Sequence, residues 1–160
     1  MSEYVIRPAK DDDTDTLVEI AKNEWKAIYE GYREQMGDEI FFSFFPDSAA
    51  QKEAQIRKNV ETGNCFVTEC DGKIAGFIYY VYSEENKIGI ISNNAVSSEF
   101  RGKGIGPRQY EFIFDTLRRL GAKGVKVTTG LDEAHAPARR AYEKAGFSAN
   151  TKAITYYKKL

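Results

Sequence analysis

A chain of 160 residues, 42% apolar and 29% charged, is long enough for one domain with a real core and too short for two ordinary ones. No run approaches the roughly 20 consecutive apolar residues that span a bilayer, and one histidine with two cysteines excludes a zinc cluster. Net charge is −1, yet residues 1–100 carry 10 Lys and Arg against 19 Asp and Glu while residues 101–160 carry 13 against 5, which suits either an anionic ligand beside the C-terminal part and a cationic one beside the rest, or two solvated surfaces of different composition. The start, MSEYVIRPAKDDD, has neither a basic nor an apolar leader pattern, and a cytoplasmic protein forming a single domain over residues 1–160 is the expectation.

In chain order, EYVIR is a short β-rich run, and DDDTDT offers N-caps for a helix beginning near Asp12, with Leu17, Ile20, Ala21 and Ile28 at helical spacing and an end near Gly31. MGDEIFFSFFPDS crowds four phenylalanines around a turn before a more polar helix, DSAAQKEAQIRKNVETG. The period then changes: NCFVTEC, KIAGFIYYVY and KIGIISNNAV read as an antiparallel meander, turned at Asp71-Gly72 and at SEEN. Cys65 and Cys70, five apart in the first of these strands, point to opposite faces and do not bridge each other. Gly106, Tyr110, Ile113, Leu117 and Leu120 mark one face of a helix ending at Gly121, and KGVKVTTG reads as a buried strand. An alanine-rich helix follows, with Ala134, Ala138, Ala141, Tyr142 and Ala145 on one face and Gly146 as its stop; ITYYKKL makes a last strand. The order is mixed α/β in one layer system.

Glycines at 102, 104 and 106 precede the helix that carries Tyr110. A helix start leaves backbone N–H groups without partners and carries partial positive charge, so bare backbone there can receive phosphate oxygens, with Arg101, Lys103 and Arg108 adding cations. The same glycines also suit a simple flexible turn. A dinucleotide G-x-G-x-x-G fails because Gln109 stands at the third glycine, and a Walker A loop fails for want of Gly-Lys-Ser/Thr. What fits is R-x-x-G-x-G at Arg101, Gly104 and Gly106, after a strand ending in NAV and ahead of ARRAYEKAGF.

On these residues the chain resembles the GNAT family, the N-acetyltransferases that use acetyl-coenzyme A, most strongly over residues 64–147. The resemblance implies a mixed, mostly antiparallel sheet of about six or seven strands flanked by about four helices, with coenzyme A between splayed fourth and fifth strands. It places the backbone of Asn94, Ala95 and Val96 along the pantetheine arm and the acetyl carbonyl, and Arg101, Gly102, Lys103, Gly104, Ile105, Gly106 and Pro107 around the diphosphate. Pro107 lacks the N–H that others offer at that position. Tyr142 matches the tyrosine that protonates the departing thiolate, although its apolar neighbours also suit a core residue. His135 stands where many members have a pantetheine-binding asparagine; a helix-cap or surface histidine is the other reading.

The positions matching a strand-borne general base are Ser92 and Gly130, neither of which can serve, which leaves Glu69, Glu24 and Asp132 as carboxylates to consider. Trp25, Tyr29, Tyr32, Phe41, Phe42, Phe44 and Phe45 are candidate walls of an acceptor pocket. The expected activity is transfer of an acetyl group from acetyl-CoA to a primary amine, on a small molecule or a peptide, by direct attack with both substrates bound. No metal is called for, no membrane partner is expected, and the resemblance admits a homodimer. The missing strand-borne base supports a second reading, a non-catalytic acyl-CoA sensor. Nucleic-acid binding is a third, weaker one, since the basic charges lie on several elements with no recognition motif.

Overall fold

The β-rich runs assemble into one five-stranded sheet in the computed structural model, which describes residues 3–160. Its strands are β1 (Tyr4–Pro8), β2 (Cys65–Cys70), β3 (Lys73–Ser83), β4 (Ile88–Val96) and β5 (Gly124–Val127). They are neighbours in that order and antiparallel, except for the parallel β4–β5 pair. Asp71 and Gly72, at φ 50° and 77°, close the β2–β3 hairpin with the positive dihedrals that the Asp-Gly pair predicts. The β3–β4 turn runs over residues 84–87, where Lys87 returns its N–H to the Ser83 carbonyl at 2.8 Å.

The helices are α1 (Thr14–Met36), α2 (Asp38–Phe44), α3 (Ser48–Glu61), α4 (Ile105–Arg119) and α5 (Ala136–Lys144). Leu17 and Ala21 of α1 and Ile56 of α3 pack with Val67 and Phe77 on one face of the sheet. Ile113 and Leu117 of α4 and Tyr142 of α5 pack with Ile78 and Ile91 on the other. Phe77 and Ile78 are sequence neighbours that serve opposite layers, both fully buried, which is why β3 reads as an almost unbroken apolar run. Asp47 caps α3 by accepting from the Ala50 N–H at 2.9 Å, and Gly146, at φ 99°, stops α5.

Four expectations need correction. The first helix runs through Gly31 to Met36 and ends at Gly37 (φ 77°), because Gly31 keeps an ordinary helical φ and packs near Asp132. The phenylalanine-rich stretch is a helix of its own, α2, rather than a turn; it adds a fifth helix, with Phe41 buried and Phe42 and Phe44 exposed. β5 is a half-buried edge strand, not a buried one. Finally, ITYYKKL pairs with no strand, so five strands are formed among the described residues instead of six or seven. Tyr157 packs edge-on against Phe44 at 5.0 Å and Lys159 Nζ bonds Glu39 at 2.9 Å, which draws this extended segment over α2.

The β4–β5 ladder spans only Ile88↔Gly124 to Ile91↔Val127, while β4 continues to Val96, so the two strands part beyond Ile91. Opposite Tyr79 the β3 register slips, setting Ser92 and Asn93 of β4 against a single residue. A bulge at this point bends β4 where the gap opens.

Candidate active site

The glycine loop lies at the open end of β4. Gly102 and Gly104 have φ of 75° and 77°, and Lys103 between them does not share that hand. Such alternation turns successive N–H groups toward one concave side. Among the described residues, the N–H groups of 102 through 106 find no acceptor in the chain; the first bond beyond them runs from Arg108 N–H to the Gly104 carbonyl. Gly104 is the left-handed N-cap of α4, and the first turn of that helix holds no acidic side chain. A diphosphate therefore fits this cradle, satisfying main-chain donors that are otherwise unmet. A Cβ at 102 or 104 would meet open space, so these two glycines are needed for their dihedrals rather than for clearance; Gly106 sits inside the first turn of α4.

The loop's cations are held by the chain itself. Arg101 ion-pairs with the largely buried Glu24 of α1, Lys103 lies 4.9 Å from the Phe100 ring centre, and Arg108 covers the Tyr4 ring at 4.5 Å. Tyr4 donates its hydroxyl to the Lys103 carbonyl at 2.9 Å, tying β1 to the loop. Ile105 is buried beneath the cradle, and Pro107 enters α4 in its first turn.

Inside the splay, Asn94 joins two phenols. Its Nδ2 donates to Tyr142 Oη at 3.1 Å and to the Ser92 carbonyl at 3.0 Å, and its Oδ1 accepts from Tyr110 Oη at 3.2 Å. Burial raises both phenol pKa values above the ordinary range, an effect the Asn94 bond partly offsets at Tyr142. Both phenols stay protonated at neutral pH. Tyr142 accepts from Asn94, and its hydroxyl also interacts with that of Tyr110, which closes a small polar cluster of two phenols and one amide. Ala95 and Val96 continue β4 toward the loop, and Gly76 lets β3 lie against them: a Cβ there would fall 2.4 Å from the Ala95 carbonyl oxygen.

His135 is engaged differently from the pantetheine donor that the resemblance implies. Its Nδ1 meets Asp132 Oδ1 at 2.5 Å, and its ring stacks on Tyr32 of α1 at 6.0 Å. The turn Glu133–His135 sets this three-residue spacing, and Arg139 of α5 pins it by donating to the carbonyls of Gly130 and Asp132 at 2.8 and 2.7 Å. Among the described residues, Asp132 Oδ2 is buried without a hydrogen-bond partner. The place a side chain at 130 would occupy is taken by the pair: a Cβ on Gly130 would lie 2.4 Å from both Asp132 Oδ1 and His135 Nδ1.

Of the other carboxylates, Glu69 is bound by Arg7 at 2.6 Å and Glu24 by Arg101, so both are spent on the fold. Ser92 is exposed just past the last β4–β5 pair. The aromatic candidates fall in three places, with Phe42 and Phe44 exposed on α2. Tyr29, Tyr32, Phe41 and Phe45 form a continuous wall with ring centres 5.2–6.3 Å apart, which reaches His135 through Tyr32. Trp25 instead packs on the α1–α3 core, with Lys52 Nζ 4.3 Å over its ring. Lys52, only 4% exposed, also bonds Gln55 and Asn93, and burial pushes its amine down to about 8. Nothing in its surface-helix pattern signals that burial. A cleft of about 430 Å³ lies on the α1 side, between Glu19, Glu24 and Ser97–Phe100, and includes neither Tyr142 nor His135.

A search of curated protein sequences finds no relative. Solved structures are similar over almost the whole chain. The PaiA N-acetyltransferase of Thermoplasma acidophilum, in complex with coenzyme A, has a TM-score of 0.72 at 17% identity, covering 97% of this chain and 96% of that one. AAC(6')-Iy, in complex with the bisubstrate analogue CoA-S-monomethyl-acetylneamine, gives 0.67 at 16%, covering 99% and 100%. Glucosamine-6-phosphate N-acetyltransferase from Arabidopsis thaliana gives 0.59 at 20%, covering 97% and 98%. The sequence profile of the acetyltransferase (GNAT) family matches residues 25–147, the span that holds the phenol pair, the cradle and the His135 turn. The chain therefore belongs to the acetyltransferase (GNAT) family, enzymes that take the acetyl group from acetyl-CoA.

Proposed function

We propose that this enzyme, as one domain over residues 1–160, acetylates a primary amine by direct attack while amine and acetyl-CoA are bound together. Acetyl-CoA, when bound, supplies the activated acetyl group. The N–H groups of residues 102–106 hold its diphosphate, which lays the pantetheine arm along β4 toward Asn94. Tyr142, kept protonated by burial, gives its proton to the departing sulfur. His135 Nε2, left free while Nδ1 is committed to Asp132, takes the proton of the attacking amine directly or through one water. An ammonium substrate first passes one proton to His135 Nε2 and on to water; the C–N bond then forms as the C–S bond breaks, nitrogen losing its second proton by the same route while sulfur gains that of Tyr142, which solvent replaces.

The observation that carries this reading is the pairing, around one helix, of a buried, protonated phenol and an imidazole oriented by a carboxylate, seven residues apart. The imidazole fills the space that a side chain at position 130 would take, and so supplies the function whose apparent absence favours a sensor. Direct attack is further supported by the cysteines. Both are buried on β2, and burial pushes the Cys65 thiol up to about 12, so it offers no thiolate to carry an acyl group. The wall of Tyr29, Tyr32, Phe41 and Phe45 beside His135 suits an amine on an apolar or sugar-like body, in keeping with the aminoglycoside analogue and glucosamine-6-phosphate named for the similar structures. The test is thiol release from acetyl-CoA with a panel of polyamines, amino sugars, lysine peptides and small arylalkylamines. Saturable release with at least one amine is expected; release no faster than the spontaneous rate across the panel, with coenzyme A bound, would replace the enzyme reading with the sensor.

A further inference from the structure

Asn93 and Asn94 are sequence neighbours on β4 whose side chains bond to opposite layers. Asn94 reaches the two phenols of α4 and α5. Asn93 instead donates from Nδ2 to Asn59 Oδ1 of α3 at 2.7 Å, and its Oδ1 accepts from Lys52 Nζ at 3.1 Å. The main chain has little else to fix it here. The β4–β5 ladder has ended at Ile91, and the β3 ladder jumps from Tyr80↔Ile91 to Ile78↔Asn94, so Ser92 and Asn93 have no partner in register on either side. With the ladder interrupted, side-chain contacts decide how far the strand bends.

Lys52 holds Asn93 at an energetic cost. Its residue is 4% exposed, its ammonium also bonds Gln55 Oε1 at 2.8 Å, and it lies 4.3 Å from the Trp25 ring centre. Among the described residues it ion-pairs with no carboxylate, and the adjacent Glu53 is bound by Lys22 and Arg57. Lysine is almost never fully buried unless paired, and an apolar side chain of similar length would avoid the desolvation penalty. Burial alone lowers its pKa, to about 8, so the cation persists at neutral pH. Departures of this kind from the rules of stable packing are concentrated at functional sites.

We propose that Lys52 is a positioning residue for acetyl transfer: through Asn93 it sets the bend of β4, and with it the place of the Asn94 amide between Tyr110 and Tyr142. That role rests on Tyr142 as the acid and on β4 as the bed of the pantetheine arm. An ammonium carries three donors, which suit its three partners: two side-chain amide oxygens and the ring of Trp25. Trp25 and Lys52 thereby tie α1 and α3 to the strand on the layer opposite the phenols. Consecutive Cα atoms are held about 3.8 Å apart by the peptide link, so a shift of Asn93 carries Asn94 with it.

Lys52→Met keeps an unbranched side chain, removes the buried charge and its desolvation penalty, and should fold. With acetyl-CoA and the best acceptor amine of the panel, kcat should fall about 10- to 100-fold, with the KM for acetyl-CoA unchanged and a melting temperature no lower than that of the native chain. Asn93→Ala should lower kcat similarly, and the double variant no further than the worse single one, because both remove the same link. A merely structural lysine would leave kcat at the native value in the folded variant, and a lysine acting independently of Asn93 would give losses that multiply; either result overturns the proposal. Crystal structures of the native chain and of Lys52→Met give a readout that needs no acceptor. Asn93 should leave its place against Asn59, and Asn94 Nδ2 should move off Tyr142 Oη. An unchanged path of β4 with the Asn94–Tyr142 bond intact would overturn the proposal too. Absence of turnover by the native chain would count against catalysis itself, and the two crystal structures would still decide the positioning.

Discussion

Gly130→Ala is a single added methyl placed against the pair that we assign to proton removal. That carbon would sit 2.4 Å from Asp132 Oδ1 and His135 Nδ1 and 2.8 Å from His135 Cε1. Carbon contacts are comfortable at about 3.5–4.0 Å, so the pair must retreat by about 1 Å. Neither member can do so freely: Tyr32 stacks against the imidazole, and Arg139 holds the Asp132 carbonyl at 2.7 Å. Overpacking of this kind costs about 1–3 kcal/mol of stability. Misplacing a reacting group by about 1 Å costs about 100-fold in rate. The assay is thiol release at saturating acetyl-CoA with a good amine acceptor, corrected for folded fraction, across pH. We expect kcat down about 100-fold at pH 7 with coenzyme A affinity retained, and the deficit shrinking as pH approaches the amine's own pKa of about 10, where the substrate arrives already deprotonated. A wild-type kcat at pH 7 in a normally folded variant would refute the reasoning, and a deficit independent of pH would assign the loss to something other than proton removal.

Tyr142→Phe keeps the ring among its apolar neighbours and removes only the proton donor; kcat should fall by about 100-fold or more with coenzyme A affinity unchanged, and unchanged thiol release would remove the acid role. Gly104→Ala forces an L side chain to φ 77°, at a cost of about 1–2 kcal/mol, and should weaken coenzyme A binding about tenfold by calorimetry while Gly106→Ala, in an ordinary helical turn, weakens it less. Lys52, held at about 8 by burial and near 10.4 when unfolded, makes the unfolded chain bind more protons between those values, so stability rises with pH across that window. Urea midpoints measured from pH 7 to 10.5 should show this rise in the native sequence and a flatter profile in Lys52→Met.

The parts of the fold that were legible depend on short-range chemistry. Asp71-Gly72 dictates its hairpin and Gly146 its helix stop, because each needs only its own φ to be read; the glycines at 102 and 104 suit either bare backbone or a turn, and only their positive φ beside open space shows that they supply the dihedral. The apolar set of α4, Tyr110, Ile113 and Leu117, is legible from its helical spacing, which is likewise local. What was not legible depends on distant contacts. Gly31 looks like a helix end until it is seen packed beside Asp132 from another part of the chain. Phe41 to Phe45 look like a turn until α1 supplies Tyr29 and Tyr32 to cover them. His135 and Asp132 were each noticed as candidates, but their pairing follows from a tight turn anchored by Arg139, and Asp-x-x-His carries no such signal by itself. Ile154 to Tyr157 carry a local strand preference, but whether they pair is decided by distant contacts: Tyr157 on Phe44 and Lys159 on Glu39 draw the segment over α2 instead of into the sheet.

The main-chain donors at residues 102–106 are the feature on which the proposed acetyl-CoA site rests. Titrating uniformly ¹⁵N-labelled chain with coenzyme A tests them directly. The amide resonances of Gly102, Lys103, Gly104, Ile105 and Gly106 should move together along one saturation curve, with those of Asn94 and Ala95 following as the pantetheine arm settles on β4. Saturable binding that leaves these five amides in place and shifts another part of the chain would contradict the account.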